Sequence, residues 1–200
     1  GFAPEMVKHD HGSTGIAGIA YTNADHFPPQ FRDNLFIGNP ITHRINRDRI
    51  EWHGSTPKGI ELPDFVVSKD RWFRPVDIKL GPDGALYVAD FYNRIIGHYE
   101  VDLHHPGRDR ERGRIWRVVY KGTAEKPVES PKLPDLTRLD LDGLIARLGD
   151  SNFVVRTMAT HEIIDRFHSD GSQLLIERLK KGQLNAIQRS HAVYVLAQSQ

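Results

Sequence analysis

The period of the apolar residues changes partway along the chain, and this limits the fold more than any single motif does. Up to about residue 121, apolar side chains come in short alternating runs broken by Gly, Pro, Asn and Asp, the pattern of strands. From Thr137 onward they recur every three or four positions, the pattern of helices that bury one face. Candidate strands span residues 15–21, 35–38, 43–51, 64–67, 76–80, 85–89, 95–99 and 114–120. The clearest turn is Gly81-Pro82-Asp83-Gly84, where Pro presets φ, Asp caps its own backbone and Gly accepts positive φ. Strands in succession with no helical pattern between them imply an antiparallel all-β region.

The strands fall into two groups of four, in 15–67 and 76–120, each about the length of a four-stranded propeller blade. Two blades do not close a ring, and an open propeller leaves long strand edges exposed. The sequence therefore reads as part of a longer chain with more blades upstream of Gly1. The expected architecture is multidomain β + α. Residues 1–121 form a partial β-propeller of about two four-stranded antiparallel blades, and 122–136 a linker kept extended by Pro127, Pro131 and Pro134. Residues 137–200 form an α-helical solenoid.

Four apolar stripes mark the helices: Leu141 to Leu148, Val154 to Phe167, Leu174 to Leu179, and Ile187 to Leu196. Breakers separate them at Gly149-Asp150-Ser151-Asn152, Asp170-Gly171-Ser172 and Gly182-Gln183. The pattern repeats internally. Leu144-Ile-Ala-Arg-Leu148 returns as Leu175-Ile-Glu-Arg-Leu179, and Arg156-Thr-Met-Ala159 as Arg189-Ser-His-Ala192. In each copy the small residue lets paired helices approach and the Arg can reach the neighbouring turn. The segment Asp150–Arg156, DSNFVVR, resembles the inter-helix segment of HEAT-type repeats, which implies a HEAT/armadillo-like stack whose concave face takes a protein partner. A small four-helix cap on the β region is the simpler alternative.

Composition removes several chemistries. The 200 residues contain no Cys, so they hold no disulfide, thiolate zinc site, iron–sulfur cluster or c-type haem attachment. A net charge of +1 gives no general attraction for nucleic acid or anionic lipid. The alternating run Arg108-Asp-Arg-Glu-Arg-Gly-Arg114 compensates itself and lacks the interleaved aromatics of a nucleic-acid patch. No apolar run approaches the roughly 20 residues of a membrane span, and no targeting signal is present. No nucleophile elbow, phosphate loop or zinc-protease helix occurs. His9-Asp10-His11 and His104-His105 are the only metal-like clusters; in an extended segment Asp10 points away from both His, and solvated loop histidine is the expectation.

Two stretches carry a family resemblance. Phe27–Gly38, FPPQFRDNLFIG, resembles a signature of quinoprotein sugar dehydrogenases of the sorbosone and soluble glucose dehydrogenase type. Phe73–Arg94, FRPVDIKLGPDGALYVADFYNR, is similar to a blade of that superfamily and also to the NHL-type propeller repeat. The likeness spans about residues 13–120. Joined to a Pro linker and HEAT-like helices, it is similar to bacterial membrane-bound dehydrogenases, which are exported and often end in a haem module. The resemblance implies an exported, periplasmic or membrane-associated protein that oxidises a sugar or alcohol. Pyrroloquinoline quinone (PQQ) would serve as cofactor, with calcium polarising it, and electrons would pass to a c-type haem outside these residues.

The resemblance also nominates residues. In the sugar dehydrogenases an Arg-x-Arg-Asp run holds the quinone carboxylates by guanidinium pairing; here it reads Arg74-Pro75-Val76-Asp77, so Arg74 and Asp77 match and Val76 departs. The other reading of Arg74 is structural, stacked on Trp72 or Phe73 and paired with Asp77. A His-bearing loop in those enzymes corresponds to the segment of Asn39, His43 and Arg44, where a neutral His could take a hydroxyl proton; the other reading of His43 is a loop His bonded to backbone. In the NHL pattern Asp90 and Asn93-Arg94 cap turns. The rival function is a non-catalytic propeller and HEAT platform that binds carbohydrate or protein, favoured by Val76 in place of the second Arg.

Overall fold

The computed structural model describes residues 11–13, 15–97 and 100–199. The chain divides into a β unit, comprising residues up to 23, 27–81 and 85–128, and a helical unit of residues 129–200 grouped with the turns 24–26 and 82–84.

Among the described residues the β unit holds two antiparallel sheets. The first runs β1 (Ala17–Thr22), β2 (Asn34–Asn39), β3 (Arg44–His53) and β4 (Thr56–Val67), each paired with the next. The second runs β5 (Pro75–Leu80), β6 (Leu86–Asp90) and β7 (Arg114–Val118). Phe36, Ile45, Ile78, Leu86 and Val88 form a core to which both sheets contribute. Backbones approach closely where the sheets meet: a Cβ on Gly38 would lie 2.4 Å from the Pro75 carbonyl oxygen.

Most of the family-like signature in 27–38 is packing. Phe27, Phe31 and Phe36 each meet the ring of Phe65 edge-on, with centroids 4.7 to 6.0 Å apart. Phe65 reaches that cluster because β4 is bulged. Ile45 pairs with Val66 and Arg47 with Leu62, which leaves Pro63, Asp64 and Phe65 opposite Asn46.

Two strand expectations are corrected. β4 begins at Thr56, eight residues before the expected 64, after a two-residue turn in which Gly54 has φ +62°. β4 carries Pro57 and Pro63, which its position at the sheet edge allows, because a residue without an N–H is tolerated there. The strand expected at 95–99 is not formed by Ile95, Ile96 and Gly97, and His98 and Tyr99 lie outside the described residues. β7 pairs directly with β6, Leu86 opposite Val118, so the second sheet has three described strands and not four. Side chains tie the intervening loop to its own backbone: Arg108 donates from Nε to the Asp102 carbonyl (2.9 Å) and from Nη2 to those of Val101 (2.6 Å) and Gly97 (2.5 Å).

The proline segment is also more ordered than expected of a linker. Gly122, at φ +78°, allows a tight turn closed by Thr123 N–H to the Lys126 carbonyl (3.0 Å) and Val128 N–H to that of Lys121 (2.9 Å). Its last residue, Leu136, is buried in the helical core.

The helical unit contains α1 (Leu141–Arg147), α2 (Phe153–Lys180) and α3 (Ala186–Gln198). Each start is capped by the residue type the sequence offers. Asp140 accepts from Gly143 N–H (2.8 Å) and Asn152 from Val154 N–H (2.9 Å), while Asn185 and Gln188 form a reciprocal capping box. The second and third expected helices are continuous through Asp170-Gly171-Ser172; the backbone breaks at His168 instead (φ 42°, ψ −119°). Gly171 serves close packing at that kink, since a Cβ there would lie 2.7 Å from Ile163 Cγ2. Leu144, Ile145, Leu148, Ile163, Leu175 and Val195 are fully buried between the three helices. Both repeat-related arginines reach the preceding turn: Arg156 Nη1 donates to the Asp150 and Ser151 carbonyls (2.6 and 2.9 Å), and Arg189 Nη1 to that of Leu184 (3.0 Å). No helix among the described residues is long and apolar enough to cross a membrane.

Candidate functional site

Three loops of the β unit border a cleft of about 750 Å³: the β2–β3 turn with Ile41 and His43, the approach to β5 with Arg71, Trp72 and Arg74, and the loop after β6 with Arg94 and Ile96. Among the described residues three guanidinium groups and an imidazole line it, and no carboxylate does. A second hollow of about 440 Å³ shares Trp72 and Arg94 with it and extends over Arg108 to Glu111.

Arg74 is the organising residue. It is buried, and its guanidinium donates from Nε to the Asn93 carbonyl (2.9 Å), from Nη1 to Pro40 (2.5 Å) and from Nη2 to Arg94 (3.1 Å). One side chain thus ties the turn before His43 to the loop that carries Arg94. Burial lowers its pKa from the ordinary arginine value, and the neighbouring Asp90 carboxylate opposes that shift. Asp90 caps the same junction: Oδ1 accepts from the N–H groups of Arg74 (2.8 Å) and Tyr92 (2.9 Å), and Oδ2 from Trp116 Nε1 (3.0 Å). Asn93 donates to the Asp109 carbonyl (2.7 Å) and accepts from Ile95 N–H (3.2 Å), in keeping with the turn-capping pattern.

His43 closes the β2–β3 turn in the left-handed region, φ 60°, which is uncommon for a residue with a side chain. Its Nδ1 lies 3.1 Å from the Phe73 carbonyl oxygen. A carbonyl only accepts, so Nδ1 carries a proton, and in the Nδ1–H tautomer Nε2 keeps its lone pair. Trp72 packs against Tyr92 at 5.5 Å, and the guanidinium above it belongs to Arg112, at 6.0 Å, not to Arg74.

The structure therefore brings His43 and Arg74 into one cleft and leaves the other three nominated residues outside its lining. Arg44 pairs with Asp64 in the β4 bulge (2.6 Å). Asn39 is fully buried, donates to Asn46 Oδ1 (3.0 Å) and the His11 carbonyl (3.2 Å), and accepts from Thr42 N–H (3.1 Å). Asp77 caps Ile78 N–H (2.9 Å) and pairs with Lys79 (3.1 Å), not with Arg74. The sequence does not nominate Arg71 and places Arg94 only within a turn cap. Arg94 gives its carbonyl to Arg74, but the side chains of both have no hydrogen-bond or ion-pair partner among the described residues. One signal was available: each is a cation at the border of the 73–94 motif with no acidic residue beside it in the cleft.

Of the metal-like clusters, His9 and Asp10 lie outside the described residues. His11 Nε2 is 3.0 Å from Asp48 and Nδ1 is 3.2 Å from Glu61, so its two nitrogens face different carboxylates. His105 Nδ1 accepts from Gly107 N–H (3.0 Å). Among the described residues no group of three or more His, Asp or Glu is arranged to hold a metal ion.

The similarity that the sequence carries is to sugar dehydrogenases. Over 81 residues the chain is 33% identical to the aldose sugar dehydrogenase YliI of Escherichia coli (strain K12), which is 38% of this chain and 19% of that protein. Among solved structures it is similar to the soluble aldose sugar dehydrogenase of Escherichia coli in its apo-form, with 32% identity over 38% of this chain and 20% of that one, TM-score 0.31. It is also similar to a crystallised glucose dehydrogenase, with 24% identity over 53% of this chain and 24% of that one, TM-score 0.36. The chain spans about a fifth to a quarter of the length of these relatives. The chain itself belongs to the family described as Domain of unknown function (DUF7133), which matches residues 3–122.

Proposed function

We propose that this chain is part of a sugar dehydrogenase-like protein and that the cleft between Arg71, Arg74 and Arg94 takes the carboxylates of a quinone cofactor, PQQ. The supporting observation is the lining: among the described residues three guanidinium groups and an indole border the cleft and no carboxylate does, a donor set matched to a planar polyanion. When bound, the quinone would supply the hydride acceptor for oxidation of a sugar or alcohol. Arg71 and Arg94 would pair with its carboxylates, Arg74 would hold the two loops in register, and Trp72 would offer a flat apolar wall. His43, protonated on Nδ1, has Nε2 available to accept a substrate hydroxyl proton.

The acidic and histidine side chains described do not form a set suited to calcium, so no calcium role is assigned to them. A c-type haem acceptor, attached outside these Cys-free residues, and an exported or periplasmic location remain parts of the same reading, as does a HEAT-like stack continuing from the three helices. A second reading is a non-catalytic platform for carbohydrate or protein. It is favoured by the commitment of Arg74 Nε, Nη1 and Nη2 to backbone carbonyls.

Titration of the full-length protein with PQQ, followed by quinone absorbance and dye-linked sugar oxidation, tests the proposal. Arg71→Ala and Arg94→Ala should each weaken quinone binding about tenfold or more, the scale of one lost charge-assisted pair. Binding that neither substitution alters, or no binding at all, would move the cleft to the platform reading.

A further inference from the structure

The helical unit contains a second buried guanidinium, and its partner is a histidine. Arg156 is pinned to the α1–α2 connection through Nη1, while its Nε donates to His191 Nε2 on α3 (3.1 Å). A guanidinium has no acceptor, so Nε2 must present its lone pair. Thr160 Oγ1 gives its own proton to the Arg156 carbonyl (2.9 Å) and lies 3.3 Å from His191 Nδ1, so it accepts there and Nδ1 carries the proton. Both neighbours thus fit one tautomer of the neutral ring; the imidazolium would keep the Thr160 contact but turn Nε2–H toward Arg156 Nε–H and set two cations in contact.

We propose that this contact is a proton-operated latch: neutral His191 holds α3 against α2, and protonation of the ring releases α3 and opens the cleft it floors. That cleft, about 260 Å³, lies between Phe153 and Tyr194, with Thr157, His161 and Gln198 along it.

Among the described residues that line the cleft around the ring, none is an anion that could compensate the imidazolium. On α2 the ring faces Arg156, Thr160 and His161, with the Phe153 ring at 6.2 Å; on α3 it faces Tyr194, also at 6.2 Å. On the α1–α2 connection the carboxylate of Asp150 is occupied by Arg147 (3.0 Å) and Asn152 N–H (2.9 Å). Burial first, and then the charge of Arg156, hold the His191 pKa below the ordinary histidine value. An unfolded or released His191 therefore binds protons more readily than the latched one. The latch is at full strength above about pH 6.5, the unperturbed histidine value, and weakens as pH falls toward the depressed folded value.

The test follows ring-nitrogen NMR shifts and amide hydrogen exchange of the full chain across an acid titration. At neutral pH His191 should show the Nδ1–H tautomer. As the ring protonates, the α3 amides should exchange about tenfold faster, the factor that one lost hydrogen bond to a charged group supplies. In His191→Gln the amide oxygen can accept from Arg156 without titrating, and α3 exchange should lose this acid-induced acceleration. Ring protonation with no change at the α3 amides overturns the latch and needs no variant. An acid response equally strong in His191→Gln overturns it as well.

Discussion

In the β unit the buried set includes Asn34, Asn39, Asn46, Asp48, Arg74 and Asp90, whereas the three helices enclose Leu144, Ile145, Leu148, Ile163 and Leu175 with few polar groups beyond Asn152, Arg156 and Thr160. The difference follows from element length. Strands of five or six residues, such as β5 and β6, bury little apolar surface each, so the loops that join them must be tied by hydrogen bonds to keep a single geometry. Helices that share an aliphatic seam need fewer such ties. The β unit consequently presents preorganised polar loops suited to recognition, and the helical unit an aliphatic core with one polar joint.

Truncation of the helical core should have the largest effect. Leu175 is fully buried, and Leu175→Ala should cost about 2–5 kcal/mol, the range for a cavity left by a core leucine. Urea denaturation followed by helical circular dichroism measures it. A cost below about 1 kcal/mol would mean that the seam collapses around the void and that aliphatic packing does not dominate this unit.

Arg74→Met keeps much of the side-chain volume but deprives the Pro40, Asn93 and Arg94 carbonyls of their donor. The expected cost is about 1–3 kcal/mol, the scale for buried acceptors left unpaired. Quinone binding should weaken with it, because the loop bearing Arg94 loses its tether. A stable variant that still binds the quinone would show that the loops hold their positions without Arg74.

Element type and order were legible because period and punctuation are local properties. The strands at 35–38 and 85–89, the Gly81–Gly84 turn and the break at Gly182-Gln183 could be read from neighbouring residues alone. What could not be read depends on distant partners. Whether Pro57 and Pro63 interrupt β4 is decided by its edge position, which no local pattern reveals. Gly171 looks like a stop but serves the approach of Ile163. In the cleft, Arg74 was legible from its motif, yet its carbonyl partners come from loops up to 34 residues away in sequence. Arg71 and Arg94 became visible as candidates only when those loops were brought together.

Arg44→Ala should have the smallest effect. Its side chain is 46% exposed, and the Asp64 carboxylate it pairs with also accepts from Asn46 Nδ2 (2.6 Å), so the substitution leaves that carboxylate with a partner. A cost of about 0.5 kcal/mol or less is expected from the denaturation midpoint, as for other exposed ion pairs. Quinone affinity should stay at the parent value, because Arg44 points its charge into the β4 bulge and away from the cleft lining. If Arg44→Ala instead weakened binding as much as Arg94→Ala, the cationic surface would extend along β3, and the division between loops that recognise and strands that merely support would fail.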